Sequence, residues 1–485
     1  MSYKILPFNF DNFGDEVLLT GMAGDFYFLK QDDFNALINY TLDSRSQIYF
    51  DLKSKNFIAD SAKNLRDAID MTATRYRSKK GFLREFTNLH MMVITVRCNQ
   101  ICTYCQASCE EENAKQYDMS PQTAFKIIDL IFNSPSQNIK IEFQGGESML
   151  NWQTIESSIL YAEEKNKQHN KNLEFVICTN LTTNIAHRLD FIKAHNVLLS
   201  TSLDGNESVH NRFRIYKNNK GTYETLIQNL KLAREQIGSD KIGALMTTTS
   251  YSLDKIKQII DEYVEQKFDG IFLRSINPYG FAEENKDKIG YHTNKFIDMY
   301  VEALEYILEL NKRGIHFVEY YTNLLLSRIL TPFPTGFVDL QSPSGAGISG
   351  VIYDYNGDVY PADEGRMLAK MGDKYFLMGN VYENSYSEIF NSKILKNIVN
   401  QSCLEILPIC SDCVFSPYCG ADPVRNYLET KDIMGDRIDS AFCQKNKAIF
   451  NILFSYLRKN DKDIMDIFYS WITRRDLKDI QNENY

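Results

Sequence analysis

The chain has 485 residues, 44% hydrophobic and 24% charged, with a net charge of −9 at neutral pH. That length calls for roughly two to four folding units, and the acidic balance excludes a nucleic-acid surface as its main business, since such surfaces are built from lysine and arginine. No apolar run reaches the roughly 18–20 residues that a bilayer crossing needs, and the start, MSYKILPFNFDNFGDE, lacks the basic-then-apolar profile of a signal peptide. A cytoplasmic protein with neither nucleic-acid nor membrane partners is expected.

Taken in chain order, residues 1–85 read as a separate small α+β unit. EVLLTGMAGDFYFL has the pattern of a hairpin and QDDFNALINYTL that of a short helix. From about residue 90 to 276, short β-rich runs alternate with amphipathic ones. The strand candidates are MMVITV, IKIEF, LEFVI, VLLSTS, IGALMTT and GIFLR. Between them, Ser120–Pro121 reads as a cap with a first-turn proline. After Ser252, also expected as a cap, Leu253, Ile256, Ile260 and Tyr263 recur at helical spacing. Six βα units imply an α/β fold with a parallel sheet whose ligands sit at the carboxyl ends of the strands. The expected segments are 1–85, a barrel over 86–285, a bridging helical region over 286–340, a cysteine-rich extension over 341–450 and a helical tail over 451–485. The bridge holds the long helix KFIDMYVEALEYILELNKRG, and the extension opens on GVIYDYNGDVYP, a hairpin turning at Asn356–Gly357.

Nine of the ten cysteines fall in two groups, Cys98 to Cys109 and Cys403 to Cys443, and Cys178 stands alone. In a reducing compartment clustered cysteines are metal ligands or catalytic groups more often than disulfides. Cys98-x3-Cys102-x2-Cys105 follows the first barrel strand. Three thiolates on so short a loop can hold three irons of a [4Fe–4S] cube and leave the fourth open. A structural zinc site takes four ligands, and Cys109 could complete one. Cys178, in the apolar run LEFVIC, is expected as a buried structural thiol.

The first cysteine loop and the segments after it resemble the radical S-adenosylmethionine (SAM) superfamily over about residues 90–280. Tyr104 fills the aromatic place of that family's C-x3-C-x-aromatic-C loop. FQGGES supplies Gly145, Gly146 and Glu147 in the Gly-Gly-Glu place, and CTNL supplies Asn180, with Leu181 replacing the usual glycine. SLDGNESVHNRFR supplies Ser202, Asp204 and Arg214. The resemblance implies a partial (β/α)6 TIM-type barrel and a [4Fe–4S] cluster on Cys98, Cys102 and Cys105, with Cys109 a bystander. It implies SAM as cofactor, with the Gly-Gly-Glu segment on its amino group, Ser202 and Asp204 near the ribose and Arg214 near the carboxylate. It further implies reductive cleavage of SAM to a 5′-deoxyadenosyl radical, driven by an external one-electron reductant.

LPICSDCVFSPYCGADP, with YPADEGR before it, resembles the SPASM extension of radical SAM peptide maturases, which carries two auxiliary clusters. Here Ser344, Ala362 and Pro423 stand where that pattern has cysteines. One auxiliary [4Fe–4S] cluster is therefore expected, on Cys410, Cys413, Cys419 and Cys443, with a zinc knuckle on the same four thiols as the alternative. Cys403 falls outside the pattern. Asp363 occupies the place where sulfatase-maturing relatives put a proton acceptor, and is the candidate catalytic residue.

The opening LPFNFDNFGDEVLLTGMAG and the motifs above look most like the His-Xaa-Ser system maturases. This implies a precursor peptide or small repeat-bearing protein as substrate, with a second radical SAM protein as a further partner. Residues 1–85 resemble the winged-helix module with which peptide maturases capture a leader. The expected function is radical modification of a ribosomally made peptide. The alternatives are a sulfatase-type maturase acting on a Cys or Ser, and a non-catalytic protein that keeps its clusters as structure.

Overall fold

A computed structural model describes residues 3–482, which fall into two compact units, each built from segments remote in sequence. Of the described residues, the first gathers 3–84, 322–345 and 399–482, and the second 85–321 and 346–398.

In the first unit, β1 (Lys4–Ile5) leads into a three-stranded antiparallel sheet of β2 (Phe8–Phe13), β3 (Glu16–Gly21) and β4 (Phe26–Lys30). The expected hairpin is β3–β4, and the expected helix runs over Gln31–Ile38. A second helix, Gln47–Ser54, is capped by the Ser46 hydroxyl; β5 (Ile58–Ala59) pairs with β1, and the helix Ala62–Lys79 follows. Val17, Leu19 and Leu29 of the sheet close a core with Phe34, Leu37, Leu52 and Phe57. The C-terminal helices Ala441–Lys459 and Lys462–Thr473 belong to the same unit, where Phe454 meets Phe26 edge-on and Phe415 stacks on Phe450. Segments expected as separate, residues 1–85 and the distal cysteines with the tail, thus share one unit.

The second unit holds five parallel strands: β6 (Leu89–Thr95), β7 (Asn138–Gly145), β8 (Asn172–Cys178), β9 (Leu198–Ser202) and β10 (Ile242–Leu245). Along β7 the side chains alternate. Ile139, Ile141 and Phe143 are buried, while Glu142 and Gln144 take the other face with Cys178 and Ser200. Helices follow each strand, as in Pro121–Ile131, where Ser120 caps Thr123 and Ile127, Ile128 and Ile131 are buried.

Three expectations are corrected here. The sixth strand, β11, spans only Gly270–Ile271 and pairs in parallel with β12 (Val318–Glu319), not with β10. The hairpin β13 (Gly350–Tyr353) and β14 (Asp358–Tyr360) lies in the barrel's own sheet. There β13 runs parallel to β6, and β15 (Gly379–Asn380) completes the order β10-β9-β8-β7-β6-β13-β14-β15. Ser252 does not cap the following helix: its hydroxyl bonds with Thr249, and Leu253–Lys255 form a 3-10 turn before Ile256–Glu265. Among the described residues no helix is long and apolar enough to cross a membrane.

Candidate active site

The cysteine loop leaves β6 at Thr95 and is fixed by the buried Arg97. Its guanidinium grips the Asp118 carboxylate at 2.7 and 2.8 Å and donates to the carbonyls of Glu112 and Leu150. A cation held by a paired carboxylate and two carbonyls costs little to bury and sets the loop's exit angle. Gly145 and Gly146 serve this same seating. A Cβ on Gly145, whose φ is +149°, would stand 1.9 Å from the Thr95 carbonyl oxygen, and one on Gly146 2.3 Å from that of Arg97. The close approach that requires glycine is therefore to the cysteine loop's own backbone, with Gly146 N–H donating to Thr95 at 2.9 Å and Glu147 N–H to Arg97 at 2.7 Å.

A cavity of about 300 Å³ opens at the carboxyl ends of the strands. Cys98, Cys102 and Cys105 line it together with Tyr104, Gly145, Gly146, Asn180, Ser202 and Arg214. Asn180 directs its amide to Asn99 at 2.9 Å and towards the Cys98 sulfur at 3.8 Å, and the Gln100 backbone N–H donates to that sulfur at 3.4 Å. Burial pushes the Cys102 thiol up, opposed by the Arg214 guanidinium.

Three expected site residues lie elsewhere. Glu147 is fully buried behind the cavity wall. Its carboxylate accepts from Met149 N–H at 3.0 Å, the Thr179 hydroxyl at 2.8 Å and Asn180 N–H at 2.7 Å. A buried carboxylate needs such donors, and these tie the end of β7 to the loop after β8. Asp204 is likewise off the lining. It accepts from Tyr104 Oη, from Arg214 Nε at 3.0 Å and from Thr247 N–H at 3.1 Å, so it holds three lining residues. Asp363 opens the helix Asp363–Lys370, and of that helix only Met367 reaches the cavity.

Other lining residues were not foreseen. Cys109 faces the cavity beside the three loop thiols, and its thiol donates to the Gln100 carbonyl at 3.7 Å; the neighbouring Cys109 pulls the Cys105 thiol down, and Cys105 in turn pushes Cys109 up. Cys178 faces it too, 3.1 Å from Glu142, where an apolar run had pointed to a buried thiol. The period-two alternation with Ser200 on β9 was the available signal. Arg274, exposed at the mouth, carried no motif.

The residues fit the implied groups. Three thiols share a cavity wall with backbone, hydroxyl and guanidinium groups, and Thr201 Oγ1, buried in that wall, has no protein partner among the described residues. In the first unit Cys410, Cys413, Cys419 and Cys443 together line a cavity of about 40 Å³, and Cys403 does not. Asn9 holds that loop by donating to the carbonyls of Ser411 and Cys413, both at 3.0 Å, and Thr20 donates to Val414 at 2.7 Å. Cys443 sits in the first turn of Ala441–Lys459, whose N-cap is Ser440. Ser344 is buried, and Ala362 and Pro423 begin helices, so none of the three supplies a thiol. Among the described residues, no three His, Cys, Asp or Glu side chains stand at single-ion spacing. Both thiol sets instead ring a cavity.

The Radical SAM superfamily profile matches residues 92–261, and the SPASM iron–sulfur cluster-binding domain profile matches residues 348–414. The second match reaches Cys410 and Cys413 but stops before Cys419 and Cys443. The chain is 27% identical over 369 residues to a cysteine-type anaerobic sulfatase-maturating enzyme of Clostridium novyi (strain NT), covering 73% of this chain and 91% of that one. Among solved structures, native anSMEcpe with bound AdoMet superposes with a TM-score of 0.63 at 18% identity, over 76% of this chain and 98% of that one. Streptococcus suis SuiB bound to its precursor peptide SuiA superposes with a TM-score of 0.54 at 15% identity, over 91% and 99%. The two domains imply SAM and [4Fe–4S] clusters as cofactors. With both domains in order and a thiol-lined cavity at the strand ends, this chain is a radical SAM enzyme carrying a SPASM iron–sulfur cluster-binding domain.

Proposed function

We propose that this enzyme modifies a ribosomally synthesised peptide, by cross-linking or a related C–H functionalisation, with one auxiliary cluster in addition to the SAM-binding one. SAM on a reduced cluster supplies the chemistry of a primary carbon radical that removes a substrate hydrogen. The chain's own part is to seat the cysteine loop through Arg97 and the two glycines, to direct N–H groups at Cys98, and to hold Arg214 on Asp204 at the cavity wall.

The observation that carries the peptide reading is the N-terminal module. Its sheet order β2-β3-β4 leaves each outer strand with one edge unpaired by any described strand, and β2 and β3 are hydrogen-bonded onto the four-thiol loop. A free sheet edge accepts a peptide as an added strand, and the likeness to SuiB runs over 91% of this chain. The resemblance to His-Xaa-Ser system maturases points to a small repeat-bearing substrate. The test is co-expression with the short reading frames beside its gene, followed by mass spectrometry. A cross-link or related C–H modification supports the reading; a protein cysteine or serine oxidised with loss of two hydrogens and no cross-link rejects it. That second outcome is the sulfatase-type reading, which the C. novyi relative favours. The cavity lining counts against it, because Asp363, the acceptor such chemistry would use, does not reach it.

A further inference from the structure

The first unit contains a cavity of about 230 Å³ that no cysteine lines and no motif marked. Three cations face it: Lys79 and Lys80 at the end of the Ala62–Lys79 helix, and Arg328. Among the described residues only Lys80 has an anion in ion-pair contact, Glu405, at 2.5 Å. That carboxylate is filled, accepting also from the hydroxyls of Tyr76 at 2.9 Å and Ser342 at 2.6 Å. Arg328, 8% exposed, donates only to the carbonyls of Tyr418 at 2.7 Å and Pro417 at 3.4 Å. Lys79 donates to the Arg328 carbonyl at 3.0 Å and lies 5.4 Å from the Tyr418 ring centre. The nearby Asp25 is taken by Arg75 at 2.6 Å.

Four cations thus meet two carboxylates, each already occupied, so the buried Arg328 and the half-buried Lys79 have only carbonyls and a ring as direct contacts among the described residues. That arrangement is costly unless an anion arrives. The volume is below the roughly 300–1,000 Å³ of sites for whole small molecules and suits a single acidic side chain. The rim is apolar, with Phe8, Phe82 and Met22, which is 51% exposed.

We propose that this cavity binds the carboxylate of an acidic side chain on a polypeptide, between Lys79 and Arg328, while apolar neighbours of that side chain cover Phe8 and Met22. It rests on the reading that the enzyme works on polypeptides, and adds to it a recognition contact outside the SAM cavity. Burial, Arg328 and Arg75 together pull Lys79 down to about 7, in keeping with a cation that lacks its partner.

The test is calorimetry on the anaerobic holoprotein with four probes: acetyl-Leu-Glu-Leu-amide, acetyl-Leu-Gln-Leu-amide, succinate and inorganic phosphate. The glutamate peptide should bind about tenfold or more tighter than the glutamine peptide, the range of a charge-assisted hydrogen bond. Lys79→Met should abolish that difference and Lys79→Arg should keep it. Equal binding of the two peptides, no binding of the glutamate peptide, or a difference that survives Lys79→Met overturns the proposal. Succinate or phosphate binding as tightly as the glutamate peptide also overturns it, in favour of a free-anion site. SAM cleavage by dithionite-reduced Lys79→Met should match the native enzyme. A native enzyme that discriminates the peptides yet modifies no polypeptide sinks the functional reading and leaves this site standing.

Discussion

The Glu147 carboxylate accepts the backbone N–H of Asn180 at 2.7 Å, and Asn180 in turn points its side-chain amide at Asn99 and Cys98. A buried brace on β7 therefore acts on the cluster loop through the turn after β8. Replacing Glu147 by Ala strips three buried donors, those of Met149, Thr179 and Asn180, at a cost of roughly 3 kcal/mol or more. Glu147→Ala should lower the thermal midpoint, iron content and SAM affinity together. Glu147→Gln, which keeps one acceptor oxygen and turns its NH2 on the remaining donor, should fall between. Weakened SAM binding with unchanged midpoint and iron, measured by equilibrium dialysis and iron assay, would instead put the carboxylate on the ligand.

The two thiol sets predict the metal content. Anaerobic reconstitution should give about eight irons with matching labile sulfide, two [4Fe–4S] clusters in all. A Cys98/Cys102/Cys105→Ala variant should keep about half, and a Cys410/Cys413/Cys419→Ala variant the other half. Zinc without sulfide in the first of these variants would defeat the single auxiliary cluster. Cys109→Ala separates a bystander from a ligand, since a bystander's loss leaves the iron count unchanged.

What the sequence disclosed was local. Cys98 to Cys105, Gly145–Gly146 and Asn180 each lie within a few residues of a strand end, so their order along the chain already placed them at one rim. The unexpected features depend on contacts remote in sequence. The run GIFLR reads as a full strand, yet only Gly270 and Ile271 find a partner, and it is β12, nearly fifty residues on. The roles of Glu147 and Asp204 were hidden because a motif names a residue without saying which way its side chain turns. Both turn from the cavity to satisfy buried backbone donors. The joining of Asn9 and Thr20 to the four-thiol loop spans about four hundred residues and has no periodic signature.

Asp204 acts on the cavity only through its neighbours, which a double-mutant cycle can read. Asp204→Asn and Arg214→Gln should each weaken SAM binding. The double variant should be little worse than Arg214→Gln alone, a coupling of roughly 1–3 kcal/mol. The reason is that Asp204 Oδ2 is the charged partner of the Arg214 guanidinium, and an arginine left buried without it no longer holds its place. Strictly additive losses would mean that Asp204 meets the ligand directly.

The last prediction concerns acid. His210 is 1% exposed; its Nδ1 accepts from Asp204 N–H at 3.4 Å and its Nε2 lies 3.1 Å from the Thr222 hydroxyl, which donates to the Arg214 carbonyl. These contacts require the neutral ring, and a proton on Nδ1 would break the first while placing a charge near Arg214. Burial lowers the imidazole to about 4, partly opposed by Asp204. An unfolded histidine titrates near 6.5. Below that value the unfolded chain binds the proton and the folded one does not, so stability falls as pH drops from about 6.5 towards 4. The share from His210 between pH 7 and pH 5 is about 2 kcal/mol. His90, also buried and lowered to about 3, adds a loss of the same sign. The acid lability of the clusters is common to native and variant proteins and cancels in their difference. Thermal midpoints of native protein and His210→Gln, compared at pH 7 and pH 5, should show a smaller acid-induced drop in the variant. An equal drop in both would mean that the folded His210 takes up its proton as readily as the unfolded chain does.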